Sequence, residues 1–290
     1  MSTTSADDYY VPSPTHWPIV GSIGLTVTFI GLARFLHGAE LTMMFLGLAI
    51  VIFMMYGWFG QVISESMAGR YNKQVDMSFR LGMGWFIFSE VMFFAAFFGV
   101  LFYARTYSIP WLGGASNNDA TAWLLWPDFE ATWPLLAVPL ADKFEVAKAA
   151  MGPWGLPAIN TAILLLSGLT VTLAHHALKR QDRVWLVYWL FATVSLGFLF
   201  IGLQALEYSH AYSELNLRID SGIYGSTFYM LTGFHGFHVT MGAIMLTVIM
   251  IRAMKGHFTP ENHFAFEAVA WYWHFVDVVW LGLFIFVYWL

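Results

Sequence analysis

Seven stretches of this sequence are each apolar for long enough to cross a bilayer, and they leave little room for any other kind of element. They cover residues 17–36, 41–63, 79–104, 157–178, 184–206, 222–251 and 266–290. A helix of about 20 residues spans a hydrocarbon layer of about 30 Å. Lipid offers backbone amides no water, so each stretch must satisfy its own hydrogen bonds as a helix. The two-residue alternation of a membrane barrel is missing. The expected fold is an all-α integral membrane protein with seven transmembrane helices in one membrane domain, residues 1–290.

Composition agrees with that reading and closes off several functions. Charged residues make up 11% of the chain and hydrophobic ones 59%, whereas about a quarter of a soluble domain is charged. No basic tract points to nucleic acid. Cysteine is absent, which excludes disulfides and thiolate metal sites. The opening "MSTTSADDYYVPSP" lacks the basic start and cleavage pattern of a signal peptide and reads as a polar tail.

Two joints are tight, "HGAE" and "KRQDR", and one connection, residues 105–156, is long. That connection carries "WLGGASNN", several prolines and five acids, Asp142 among them, and is expected to be a partly ordered surface insertion. Arg70, Lys73, Arg80, Lys179, Arg180, Arg183, Arg252 and Lys255 fall on one side of the seven spans. Arg34, Arg105, Lys143, Lys148 and Arg218 fall on the other, among more acids. The positive-inside rule then puts the N-terminus in the cytoplasm and the C-terminus outside.

Within the spans, ionisable groups are the candidate sites. Glu90 sits in "GWFIFSEVMFFAAFFGVLF", with Phe86, Phe93, Phe94 and Phe97 on or beside its helical face. Desolvation disfavours a bare carboxylate there, so a neutral acid is expected, serving either as a functional group or as interhelical glue. His235 and His238 in "GFHGFH" lie one turn apart, and His274 and Asp277 are three apart. His175 and His176 are adjacent, so they diverge by about 100° around a helix. Imidazoles at such spacing suit haem or copper, but no dense ligand set accompanies them, and hydrogen bonds between helices are the expected use. Arg252, Lys255 and His257 close the sixth helix, where headgroup phosphates are good partners.

Several motifs together carry a family resemblance. "AWYWHFVDVVW", "IYGSTFYMLTGFHGFHV", "HFTPENHFAFEAVAWYW", "LTVTLAHHAL", "LQALEY" and "FSEVMFF" resemble subunit III of the haem–copper oxidases, the cytochrome c oxidase branch in particular. The resemblance runs from "HWPIVG" to the last residue, and seven spans fit this branch better than the five of quinol-oxidase versions. It implies two bundles, helices 1–2 and helices 3–7, separated by a V-shaped cleft that holds phospholipids. It also implies that the chain binds no metal or haem. Haem a, haem a3, CuA and CuB belong to partner subunits I and II, and cytochrome c is met indirectly through subunit II.

By the same resemblance Glu90 aligns with a buried carboxyl that a hydrophobic carbodiimide modifies. Arg252, Lys255 and His257 match a basic cluster at lipid headgroups, with Trp58 and Glu65 on the second helix as further candidates. Many members have arginine where Ser64 stands, and the long connection exceeds that of mitochondrial members. The implied role is a non-redox subunit of a proton-pumping aa3-type oxidase in a bacterial cytoplasmic membrane. That role would stabilise the catalytic subunit, hold lipid, support proton uptake and aid oxygen access. A quinol-oxidase subunit is one alternative, and a stand-alone proton channel or transporter with Glu90 as relay is another. A relay needs polar groups across the membrane, and above Glu90 the third helix offers only apolar side chains up to Tyr103.

Overall fold

The computed structural model describes residues 10–139 and 145–290. Residues 1–9 of the polar tail, and Asp142 and Lys143 of the long connection, lie outside the described residues. The regular elements among the described residues are all helical. Seven helices are long and apolar enough to cross a membrane: α1 (Trp17–Leu36), α2 (Thr42–Met67), α3 (Lys73–Leu112), α4 (Leu156–Lys179), α5 (Arg183–Ser213), α6 (Ile223–Met254) and α7 (Phe264–Trp289). Each coincides with an expected stretch, so the chain is a multi-pass, all-α membrane protein.

The helices outrun the apolar stretches at several ends. α3 begins at Lys73 rather than near Phe79, and Arg80 pairs with Asp76 at 2.8 Å, one turn away. It also continues past Ala104, through a π-helical turn at Ala104–Ser108. α5 runs on to Ser213 through the polar "EYSHAYS". Hydropathy marks only the part of a helix that meets lipid, while backbone hydrogen bonds carry it further. Caps set some starts. Asp182 accepts a hydrogen bond from the Trp185 amide at 3.2 Å and opens α5, and the left-handed Gln181, φ 59°, turns the tight joint before it.

The described residues form two compact units, one up to Leu81 and one from Gly82 onward. In the first, α1 and α2 meet backbone to backbone. A Cβ at Gly31 would collide with the main chain of Met44, and one at Gly47 with that of Thr28. Small residues allow this close approach, which in lipid replaces the hydrophobic drive between helices. Trp17 Nε1 donates to Gln61 Oε1 at 3.0 Å near one end of the pair.

Trp273 organises the second unit. Its indole is fully buried and lies against Gly197 on α5 and Gly242 on α6, with no room for a methyl group at either. Its Nε1 donates to Ser167 Oγ on α4 at 2.9 Å, so one α7 side chain touches three other helices. Thr170 and Thr193 share a 2.8 Å hydrogen bond between α4 and α5. Trp280 Nε1 donates to Thr161 Oγ1 at 2.9 Å, and Tyr208 donates to Thr232 Oγ1 at 2.6 Å. Each such bond between membrane helices contributes on the order of 0.6 kcal/mol, so the set acts together with packing.

The long connection is anchored where it is described. Lys148 N donates to Leu215 O at 2.8 Å, Asn216 Nδ2 to Val146 O at 3.2 Å, and Met151 N to the Tyr224 hydroxyl at 3.0 Å. Leu135, Ala147 and Met151 are buried. Arg105 stands over the Trp133 ring and donates to Leu290 O at 2.6 Å. The connection thus packs onto the α5–α6 turn rather than standing away from it.

Candidate functional site

Glu90 on α3 and His238 on α6 face each other inside the second unit, Oε2 to Nε2 at 2.9 Å. Their side chains are 20% and 9% exposed. The other imidazole nitrogen, Nδ1, lies 2.6 Å from Phe234 O. A carbonyl oxygen only accepts, so Nδ1 carries a hydrogen. A neutral His238 therefore presents a lone pair at Nε2, and Glu90 must supply the proton of the short contact. If the proton moves across, the pair becomes imidazolium and carboxylate. Either way one proton is held between two groups of zero net charge, which avoids burying an uncompensated ion.

Aromatic rings wall this pair. Phe94 lies 5.0 Å from the imidazole centroid and Phe93 5.8 Å, both one turn or less from Glu90. Tyr272 of α7 stacks on the far side at 6.4 Å, and its hydroxyl donates to His238 O at 3.3 Å. The acid on α3, the base on α6 and the lid from α7 come from three helices.

His235, one turn earlier on α6, serves another purpose. Its Nε2 donates to Val276 O of α7 at 3.1 Å, and the Trp280 ring lies tilted against it with centroids 5.1 Å apart. The "GFHGFH" pair thus splits its bonds between two neighbouring helices. His274 lies 3.6 Å from Asp277 and within 3.3 Å of Thr172 Oγ1, tying α7 to α4. His176 is exposed, while His175 turns inward toward His263 and Glu267, as their divergence around the helix requires.

Besides the convergence of His175 on His263 and Glu267, sequence reasoning missed two features. One is His238 as the partner of Glu90. The other is Glu207 on α5, 1% exposed, which accepts from the Tyr288 hydroxyl at 2.6 Å. Gln204, three residues earlier and also buried, is the signal that could have found it.

The sequence model of the family described as cytochrome c oxidase subunit III matches residues 7–117 and 129–290. The chain belongs to the cytochrome c oxidase subunit III family. Among its relatives, the protein named cytochrome c oxidase subunit 3 of Gadus morhua is 40% identical over 288 residues, covering 99% of this chain and 98% of the relative. The protein of the same name from Marchantia polymorpha is 40% identical over 292 residues, covering 100% and 98%. That from Dugong dugon is 40% identical over 282 residues, covering 97% and 96%.

Within this subunit III family member, the residues expected at lipid headgroups fall in different units. Trp58 and Glu65 belong to the first, and Arg252, Lys255 and His257 to the second. Trp58 is 42% exposed on α2. Glu65 is occupied, accepting from Gln61 Nε2 at 2.9 Å, the Tyr71 hydroxyl at 2.9 Å and the Tyr10 hydroxyl at 3.2 Å. Burial, and then the bond to Glu65, push the Tyr71 phenol well above its usual range. Arg252 is buried, with its guanidinium 4.7 Å from the centre of the Phe258 ring. Lys255 is exposed. Desolvation, then Arg252 and Lys255, hold the His257 imidazole below its usual range and so favour its neutral form.

Proposed function

We propose that this chain works as the non-redox subunit III of a proton-pumping aa3-type cytochrome c oxidase. Electrons pass from cytochrome c through subunit II to haem a, haem a3, CuA and CuB in subunits I and II, and oxygen is reduced to water there. This chain stabilises the catalytic subunit, holds phospholipids, supports proton uptake and eases oxygen access through lipid. Lys255 and His257 are its headgroup contacts, with Trp58 on the other helix pair and Arg252 bracing the cluster from within. It sits in a bacterial cytoplasmic membrane with its N-terminus inside and its C-terminus outside.

The Glu90–His238 pair is the observation that supports a structural rather than a conducting role. Its outer bond ends on the Phe234 carbonyl, and aromatic rings flank the rest. A conducting relay would need a further titratable partner. Gentle detergent extraction tests the assignment. A larger haem- and copper-bearing subunit should co-purify with this chain, and a monodisperse chain without such a partner would instead favour the transporter reading. In the intact oxidase, Glu90→Gln should leave the protons pumped per electron unchanged, and loss of pumping would place Glu90 on a proton path.

A further inference from the structure

Three ligand-type atoms converge where α4 meets the start of α7. His175 Nε2 lies 3.2 Å from His263 Nε2, His175 Nε2 lies 3.5 Å from Glu267 Oε1, and His263 Nε2 lies 3.3 Å from Glu267 Oε1. Donor atoms about 2.0–2.1 Å from a tetrahedral zinc ion stand about 3.3–3.4 Å apart, so this triangle has the dimensions of one face of such a site.

Hydrogen-bond accounting points the same way. His263 Nδ1 lies 3.1 Å from Thr259 O and must donate to it, which leaves a lone pair on Nε2 when the ring is neutral. Glu267 Oε1 also offers lone pairs, and His175 Nε2 brings at most one proton. With His263 neutral and Glu267 ionised, that single proton cannot meet all three short contacts, and two acceptors face each other. A cation at the centre satisfies all three together. The backbone bond at Nδ1 is the outer-shell contact that fixes the tautomer and aim of a ligating histidine.

The surroundings hold the ligands in place. Thr259 and Asn262 exchange backbone hydrogen bonds at 3.4 and 3.2 Å, stiffening the turn that carries His263. The His175 ring packs 5.4 Å from Phe266 and 5.3 Å from His263. Glu267 is 14% exposed, whereas His175 is 25% exposed, so water reaches one side of the triangle.

We infer that His175, His263 and Glu267 form a site for a divalent transition-metal ion of the zinc type, which staples α4 to α7. Two imidazoles and one carboxylate suit zinc and disfavour the oxygen-seeking calcium and magnesium. The fourth position, on the exposed side, takes water. This proposal departs from the sequence-based expectation that no residue of the chain ligates metal.

The full-length chain in detergent, stripped with a chelator and titrated with Co²⁺ and then Zn²⁺, tests the site. One Co²⁺ should bind with the intense visible absorption of tetrahedral coordination, and Zn²⁺ should displace it. Zinc-edge X-ray absorption on the same chain should show two imidazole nitrogens and one carboxylate oxygen. His263→Gln and Glu267→Gln should each weaken binding by at least the roughly tenfold that outer-shell changes cost. No stoichiometric ion, or an ion shell without imidazole, would overturn the proposal and leave a hydrogen-bonded cluster. The absorption measurement needs no variant to fold.

Discussion

His238 holds Glu90 through one ring nitrogen at 2.9 Å while its other nitrogen is committed to Phe234 O at 2.6 Å. The backbone carbonyl thereby leaves a single proton for the contact to Glu90. A carboxyl that looks expensive when α3 is read alone is matched once α6 lies beside it.

Glu90→Gln keeps an N–H donor for the His238 lone pair and should change stability by less than about 1 kcal/mol. Glu90→Ala or His238→Ala strands the surviving partner in an aromatic box and should cost about 1–3 kcal/mol. Thermal denaturation of the purified oxidase, followed by retention of this subunit, separates the two cases. Equal losses in Gln and Ala variants would mean the hydrogen bond is unimportant.

Trp273 should be intolerant in two different ways. Trp273→Phe removes the bond to Ser167 and should cost about 0.5–1.5 kcal/mol from the hydrogen bond, plus lost packing. Gly197→Ala or Gly242→Ala instead forces the indole out of its slot, at about 1–3 kcal/mol. Denaturant titrations of the reconstituted chain should rank all three below the wild type. An unshifted midpoint in the glycine variants would show that the indole has room.

Close approach of α1 and α2 predicts that Gly31→Leu parts the pair, since its Cβ would already meet the Met44 backbone. Amide exchange over residues 17–67 should accelerate strongly, while exchange over α4 to α7 stays slow. Uniform acceleration across the chain would argue against a local packing defect.

Alkaline pH should loosen the tie between residue 10 and α2. Burial and Glu65 hold the phenols of Tyr10 and Tyr71 above their ordinary value of 10.0. A raised folded value means the folded form keeps its proton longer than the unfolded one. Its contribution is therefore complete below about pH 10 and declines as pH rises toward the folded values. Proteolysis near residue 10 across that range should show the decline, and Tyr71→Phe should flatten it. A pH-independent cleavage rate in the wild type would contradict this account.

Tyr224→Phe leaves the Met151 amide without its hydroxyl partner and should cost about 1 kcal/mol, felt in the long connection rather than in the spans. Limited proteolysis between residues 145 and 156 should speed up selectively, and unchanged cutting would show that other contacts hold this segment.

The seven spans were legible because a membrane helix satisfies its backbone internally, so length and hydropathy along the chain suffice to find it. The ends were less legible. Lys73 and Ser213 lie in helices whose polar ends leave no hydropathy signal, although the hydrogen-bond ladder continues through them. Family membership was legible too, because "AWYWHFVDVVW" and its companion motifs are written in consecutive residues.

What tertiary structure alone decided was partnership. Glu90 meets His238 across 148 positions and His175 meets His263 across 88. A periodic sequence specifies which face of a helix a residue occupies. Which other face it meets depends on side chains such as Trp273 seated between Gly197 and Gly242, and those contacts exist only when the helices pack. The sequence by itself determined that these polar groups lie in an apolar layer, where each needs a partner. Packing determined which partner each one found.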